Sequence, residues 1–431
     1  MKKPHVVVIG AGAFGGWTAL HLLERGARVT LLDAWGAGHP RGTSSDESRL
    51  IRCGYGHKPL YTAWAWRALK LWKHWQRRWR VELFVPSGVL WLCAEENDYV
   101  RASLAALREN KIPHERLTAR QLARRHPQIR VAGIRSVYFE PRAGILRARL
   151  ATQTVARAVA ASGGRVLLAS ALSPEGTIEN FPALQRWEQT LARSANRSAA
   201  CPERSRGEGR GAGPPRRAEA ASLTQVALAN GKSLRADAFV FACGPWLPQL
   251  FPGLLGARIR VTKQEVFYFG TPPGDARFAP AALPAWIEPG SDFYGVPALD
   301  ERGFKIANDR PGPLFDPTTG ERTPGPASLD AARRHLARRF PALTNAPLAE
   351  ARVCQYERTP DSHLVIDTHP DYENVWLVGG GSGHGFKLGP AVGEFVAQQV
   401  LHPGRTPIPA EMRLFASAWP ASGPAPVTHS F

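Results

Sequence analysis

Apolar and polar positions at the start of the chain fall into three blocks. Val6 to Ile9 form an unbroken apolar run, too short for a helix and suited to a strand buried on both faces. Residues 14 to 25 carry apolar positions at helical spacing, and "ARVTLLD" (27 to 33) returns to a strand pattern. Strand, helix, strand is the opening of a βαβ unit, for which a right-handed crossover is expected. Residues 60 to 80, "LYTAWAWRALKLWKHWQRRWR", have the stripe of an amphipathic helix rich in Trp. Such a stripe can lie on a membrane, but packing against a core is the expectation here. "VPSGVLWLC" (85 to 93) reads as a strand after a turn, 97 to 126 as helical and "SVYFEPRAGIL" (136 to 146) as extended. A helix-turn-strand pattern follows. "ADAFVFACG" (236 to 244) reads as a buried strand that ends at a glycine, residues 257 to 312 as strand-rich and 328 to 340 as helical.

Two stretches lack either period. Residues 192 to 220 are Arg, Gly, Ser, Ala and Pro with almost no large apolar residue, and are expected to be a disordered surface insertion. Residues 418 to 431 read as a loose tail.

Composition changes this picture in one respect. The chain has 431 residues and a formal net charge of +19. Nucleic acid is one reading of such an excess. The arginines are scattered through helical stretches, however, and no aromatic-basic block resembles an RNA-reading motif. The 192 to 220 stretch alone holds seven arginines against three glutamates. A small acidic substrate fits better, and neither a nucleic-acid nor a membrane partner is expected. Five cysteines, none in a CxxC pair, argue against a disulfide framework or a zinc site, so no metal is expected and a cytoplasmic setting is. The basic, apolar start imitates a secretory signal, but Gly10, Gly12, Gly15 and Gly16 would break the helix such a signal needs.

Gly10, Gly12 and Gly15 fit G-x-G-x-x-G between a strand and a helix, with Asp33 ending the next strand. Gly10 permits the tight turn, Gly12 lets backbone approach a pyrophosphate, and Gly15 lets helix and strand pack closely. The helix N-terminus offers N–H groups and partial positive charge to phosphate, and Asp33 suits a ribose hydroxyl. The motif points to a dinucleotide without separating NAD from FAD.

Three later stretches bear on that choice: "GTSSDESRLIRCGYG" (42 to 56), "ERGFKIANDRPG" (301 to 312) after "DFYGVP", and the long run from Ala351 to Val400. With them the chain resembles the FAD-dependent amine oxidases of the D-amino-acid oxidase superfamily, in the branch of monomeric sarcosine oxidase and N-methyltryptophan oxidase. The resemblance covers about residues 5 to 403 apart from the insertion. It is most specific in "SRLIRCGYG", "CQYERTPDSHLVID" and "GSGHGFKLGPAVGE".

The resemblance implies a set of roles. Cys354 stands where the family joins its cysteine sulfur to the flavin 8α-methyl, so FAD is expected to be covalent. Arg52 and Lys387 match the pair that grips the substrate carboxylate, a planar fork and a point charge. Arg49 matches an arginine on the flavin side, and Lys305 the lysine that promotes reaction with O₂ by stabilising developing negative charge. Tyr294 and His384 match positions in the substrate pocket. Ser44 and Ser45 in the first loop, and Gly381 and Gly383 at the start of the final helix, join the cofactor-binding set. One departure stands out: the family often carries a histidine in the loop that here reads "GTSSDESR". Trp286, upstream of Tyr294, is a further candidate for shaping the pocket.

The expected fold is therefore α/β, a two-domain flavoprotein with a Rossmann-like FAD-binding domain and an antiparallel-sheet substrate domain. The FAD domain is expected to be discontinuous, 1–85, 145–255 and 350–403, with 86–144 and 256–349 forming the substrate domain. The expected reaction oxidises a secondary (N-methyl) amino acid to its imine, which water splits to amine and aldehyde while O₂ becomes H₂O₂. A cyclic imino acid or D-amino acid oxidase or dehydrogenase is the alternative, and a non-enzymatic basic binding protein a more distant one.

Overall fold

The structure, a computed structural model, describes residues 3–174 and 220–414. The expected insertion, apart from Ala220, and the expected tail lie outside the described residues.

One sheet has six strands in the order β18 (Val365–Thr368), β19 (Val375–Gly379), β12 (Ala238–Phe241), β1 (His5–Ile9), β2 (Arg28–Asp33) and β9 (Arg165–Leu168). All neighbours are parallel except β18 and β19. Val6, Val7 and Val8 are fully buried because helices or loops cover both faces, which is why the run lacks polar alternation. On one face, helix α1 (Ala13–Glu24) packs against α7 (Gly389–Leu401). A Cβ at Gly393 would stand 2.5 Å from the Trp17 backbone, so glycine sets how closely the two helices approach. The Trp-rich helix α2 (Pro59–Trp79) lays Trp72, Trp75 and Trp79 around Trp17, so its apolar stripe packs on the core as expected.

The second sheet has eight strands, ordered β17 (Leu348–Arg358), β13 (Arg260–Phe269), β16 (Phe304–Asn308), β15 (Phe293–Val296), β14 (Ala285–Glu288), β5 (Val89–Cys93), β7 (Ser136–Glu140) and β6 (Glu115–Leu117). Only β14 and β5 run parallel. Strand β5 is buried throughout because its faces serve two cores: Leu90 and Leu92 meet α6 (Pro326–Arg339) and its neighbours, while Val89 and Trp91 face the larger core. A small sheet of β3 (Ser48–Ile51), β8 (Gly144–Arg147) and β4 (Phe84–Val85), and a ribbon of β10 (Gln225–Ala227) and β11 (Ser233–Arg235), complete the strands.

Two expectations need correction and one refinement. Gly381 and Gly383 lie in the turn after β19, not at the start of the final helix, which begins at Gly389. Residues 97 to 126 are not one helix: α3 (Asp98–Glu109) stops before Lys111, whose φ of 53° is left-handed, and Pro113 prevents resumption. Strand β6 then adds an edge to the sheet, and a capping box at Thr118 and Gln121 starts α4 (Ala119–Arg125). Residues 136 to 146 are two strands of different sheets, separated by a turn at Pro141. Helix α5 (Ala148–Ala161) follows.

Candidate active site

Strand β1 is followed by Gly10, whose φ of 101° is open to glycine and whose added Cβ would stand 2.3 Å from the Ala242 carbonyl oxygen. A Cβ at Gly15 would meet the Gly10 carbonyl oxygen at 1.8 Å, so these two positions tie helix to strand in the manner the motif demands. Gly12 is the extended N-cap of α1 and has no side chain to cap it. Ser44 reaches across from the next loop, its Oγ accepting the Ala13 N–H at 3.0 Å. Asp33 accepts N–H groups from Ala11 (2.7 Å), Trp35 (2.8 Å) and Gly36 (2.7 Å), fixing the turn after β2 beside the turn after β1.

These residues line a cavity of about 400 Å³ that runs from Asp33 and Trp35 past Gly12 and Ser44 to Arg49, Tyr356, Gly381 and Gly383. It opens where parallel strands end and a helix begins, the place where α/β sheets bind nucleotides. Gly15 packs behind the cavity. Ser45 does not line it either: its Oγ donates to the Gly42 carbonyl at 2.6 Å and closes the loop.

Arg49, at the far wall, belongs to a buried ion cluster. Its guanidinium pairs with Asp46, donates to Thr43 O at 2.9 Å and lies 3.4 Å from Cys354 Sγ. Lys305, from β16, also pairs with Asp46, and its Nζ donates to Ser48 O at 2.7 Å. Tyr268 OH donates to the other Asp46 oxygen at 2.6 Å. Burial works against the Asp46 charge, but the two cations outweigh it and hold the carboxyl far below the usual range. Cys354 on β17 and Tyr356 two residues on share a strand face, and Tyr356 OH lies 3.4 Å from Tyr294 OH on β15.

A second group gathers around Tyr55. The Arg52 guanidinium sits 4.2 Å from the Tyr55 ring centroid and 5.0 Å from Trp91, and Lys387 Nζ sits 5.4 Å from Tyr55. Glu140 secures this loop, accepting N–H groups from Cys53 (2.7 Å), Gly54 (3.2 Å) and Trp91 (2.9 Å). His384 meets Tyr55 and Tyr61 edge-on, and its Nε2 is 2.9 Å from Ser362 O. Burial and the neighbouring Lys387 charge keep this imidazole neutral. Lys387 itself is pushed well below the usual lysine range by burial first and by Arg52 second. Asp309, also buried, faces Lys387 and Tyr294 electrostatically and joins the two groups.

The arrangement is a cavity of dinucleotide-binding form with Arg49 on its far wall, and a separate pair of buried cations, Arg52 and Lys387, around Tyr55. A model of the family described as FAD dependent oxidoreductase matches residues 5–186 and 205–399. The chain belongs to that family. A monomeric sarcosine oxidase from Streptomyces avermitilis is 31% identical over 402 residues, spanning 92% of this chain and 93% of the relative. An N-methyl-L-tryptophan oxidase from Salmonella agona is 27% identical, spanning 94% and 96%. Among solved structures, an L-proline dehydrogenase from P. horikoshii superimposes with a TM-score of 0.73 at 21% identity, spanning 95% of this chain and 96% of that one. The protein is thus an FAD-dependent oxidoreductase.

Its residues fit that cofactor: a glycine turn with no room for a Cβ at Gly10 or Gly15, a helix N-terminus whose N-cap Gly12 has no side chain, and Asp33 beside it. The structure brings Arg49, Lys305, Cys354 and Tyr294 to one cluster, and Arg52, Lys387 and His384 to the other. Trp286 is the exception, because its side chain turns to the opposite face of β14. It stacks on His335 of α6, ring centroids 5.6 Å apart, in the second core. Gly295 opposite leaves room for the indole, since a Cβ there would stand 2.5 Å from it. Residues beyond the sequence-derived set are Asp46, Tyr55, Glu140, Tyr268, Asp309 and Tyr356. Tyr356 had a readable signal, a two-residue step from Cys354 along a strand.

Proposed function

We propose that this oxidoreductase acts on the CH–NH bond of a secondary amino acid, with an N-methyl amino acid as the substrate class. The observation that carries the reading is the convergence of two buried cations, Arg52 and Lys387, on Tyr55. Such a site recognises a carboxylate, and it disfavours a protonated amine close by, leaving the nitrogen lone pair available. The names of the two curated relatives support the same substrate class. Bound FAD supplies the two-electron acceptor, and O₂ takes the electrons on as H₂O₂. The imine is then split by water to the primary amino acid and an aldehyde, formaldehyde for an N-methyl group.

In this reading the segments of the six-stranded sheet hold FAD and those of the eight-stranded sheet bound the substrate side. Tyr294 and the neutral His384 shape the pocket, Cys354 is the attachment point for FAD, and Arg49 and Lys305 supply positive charge beside the reacting centre. A second reading, a dehydrogenase of cyclic imino acids, draws on one observation: Asp46 already occupies Lys305, which lessens the free charge available to oxygen.

An anaerobic titration of the flavin absorbance with sarcosine, N-methyltryptophan and pipecolate tests both. Bleaching by an N-methyl amino acid followed by rapid recovery in air is the expected result. Bleaching by pipecolate alone, or recovery only with an artificial acceptor, selects the second reading. Flavin that dithionite reduces and no amine does removes both.

A further inference from the structure

Glu357 is a buried acid with no part in the amine chemistry above. It lines the dinucleotide cavity with Asp33, Cys243 and Gly381 and is 5% exposed. Its Oε1 accepts the Gly381 N–H at 3.2 Å, while its Oε2 has no hydrogen-bond partner. Among the described residues no cation pairs with it. Facing it are the backbone from Gly379 to Ser382, the Leu247 side chain and the Cys243 thiol. Burial, opposed only by backbone N–H groups, pushes the carboxyl up to about 7.

A dinucleotide brings a diphosphate with two negative charges into the same space. The N-terminus of α1 is arranged to receive such charge, whereas among the described residues only backbone N–H groups at Gly380 and Gly381 answer that of Glu357. Like charges in a poorly solvated site cannot both persist. We propose that Glu357 takes up a proton from solvent when the dinucleotide binds, so that the hold on FAD weakens as pH rises. The balance is simple: the ionised carboxylate, one H⁺ and FAD give a complex in which Glu357 is a neutral acid, with no electron transferred. In the free chain the group is ionised above neutrality, so binding must then extract a proton against its solution activity. The inference rests on the dinucleotide site and not on the choice of substrate.

The test uses the full chain carrying Cys354→Ala, so that FAD binds reversibly. Flavin fluorescence gives Kd from pH 6 to 9, and an indicator dye in weak buffer counts protons taken up at pH 8. His39 is also on the cavity wall, so His39→Gln is measured alongside. The expected Kd rises by up to about tenfold per pH unit above neutrality, with uptake approaching about one proton per FAD. Glu357→Gln flattens the slope and abolishes uptake, and His39→Gln leaves both. A slope that survives Glu357→Gln, or disappears with His39→Gln, overturns the inference. Should Glu357→Gln fail to fold, absence of uptake in the parent chain overturns it alone. Flat FAD binding in an enzyme that still oxidises N-methyl amino acids sinks this inference and leaves the proposed function intact. Proton-linked binding in a chain that oxidises no amine does the reverse.

Discussion

Lys305 and Lys387 are both buried lysines, yet they have opposite surroundings. Lys305 faces a resident carboxylate, Asp46, with Ser48 O as a second acceptor. Lys387 has no ion pair among the described residues; its Nζ faces the Tyr55 ring, and the Arg52 charge acts on it more strongly than either of the opposing Asp309 and Glu140 charges. Burial lowers both ammoniums. At Lys305 the Asp46 charge opposes the fall, whereas at Lys387 the Arg52 charge deepens it. A cation kept beside its own anion is a fixed part of the protein. One kept beside another cation suits an incoming anion, which in the proposed function is the substrate carboxylate.

Removing the resident anion should give the largest effect. Asp46→Asn leaves Arg49 and Lys305 buried with no carboxylate between them, and breaking a buried pair from one side costs about 3–5 kcal/mol. Urea unfolding should show a loss of that order, and Asp46→Asn/Lys305→Met should recover part of it. A double variant no more stable than Asp46→Asn would mean that the two residues are not coupled.

Lys387→Met should act on substrate rather than on stability. A charge-assisted hydrogen bond to a carboxylate contributes about 1.5–3 kcal/mol, so KM should rise on the order of 10- to 100-fold. The fold should be no less stable, since a buried ammonium with no ion pair among the described residues is replaced by an apolar chain. The sign of the pH effect follows from the depressed lysine. A carboxylate binds the protonated form, so KM in the parent should climb as pH rises through the lowered Lys387 value, while Lys387→Met shows no such climb. Equal pH profiles would remove Lys387 from the carboxylate site.

The glycine turn is legible in the sequence because its demands are local: a positive φ at Gly10 and no room for a Cβ at Gly15, both within one βα unit. The strands of the parallel sheet are legible for the same kind of reason, since burial on both faces leaves unbroken apolar runs. Asp46 carries no comparable mark. It is one acid in a polar loop, and its importance is made by Lys305, 259 positions later. Trp286 fails differently. A strand fixes that neighbours alternate but not which face meets the pocket, and the register with Gly295 decides that. Residues 97 to 126 show a third limit. Helical signal on both sides of Pro113 hides an edge strand of three residues, which its pairing with β7 and the burial of Leu117 hold in place.

The aromatic floors are the finest point of difference between the two lysines: the Tyr268 ring lies 6.0 Å from Lys305 Nζ, whereas the Tyr55 ring lies closer to Lys387 Nζ. Tyr55 lies beneath both Arg52 and Lys387, at 4.2 Å and 5.4 Å, and a desolvated cation over a ring gains roughly 1–2 kcal/mol from the ring's quadrupole. Tyr55→Phe keeps the ring and should leave KM within about twofold. Tyr55→Leu keeps bulk but not the quadrupole, and should raise KM by roughly 5- to 30-fold with little change in kcat, because Lys387 becomes harder to keep charged and Arg52 loses the ring that holds it in place. The pH at which KM begins to climb should also move downward in Tyr55→Leu, since Lys387 would lose its proton more readily. If Tyr55→Phe and Tyr55→Leu behave alike, the ring is packing alone, and the readiness of this site for a carboxylate comes from the cations without its help.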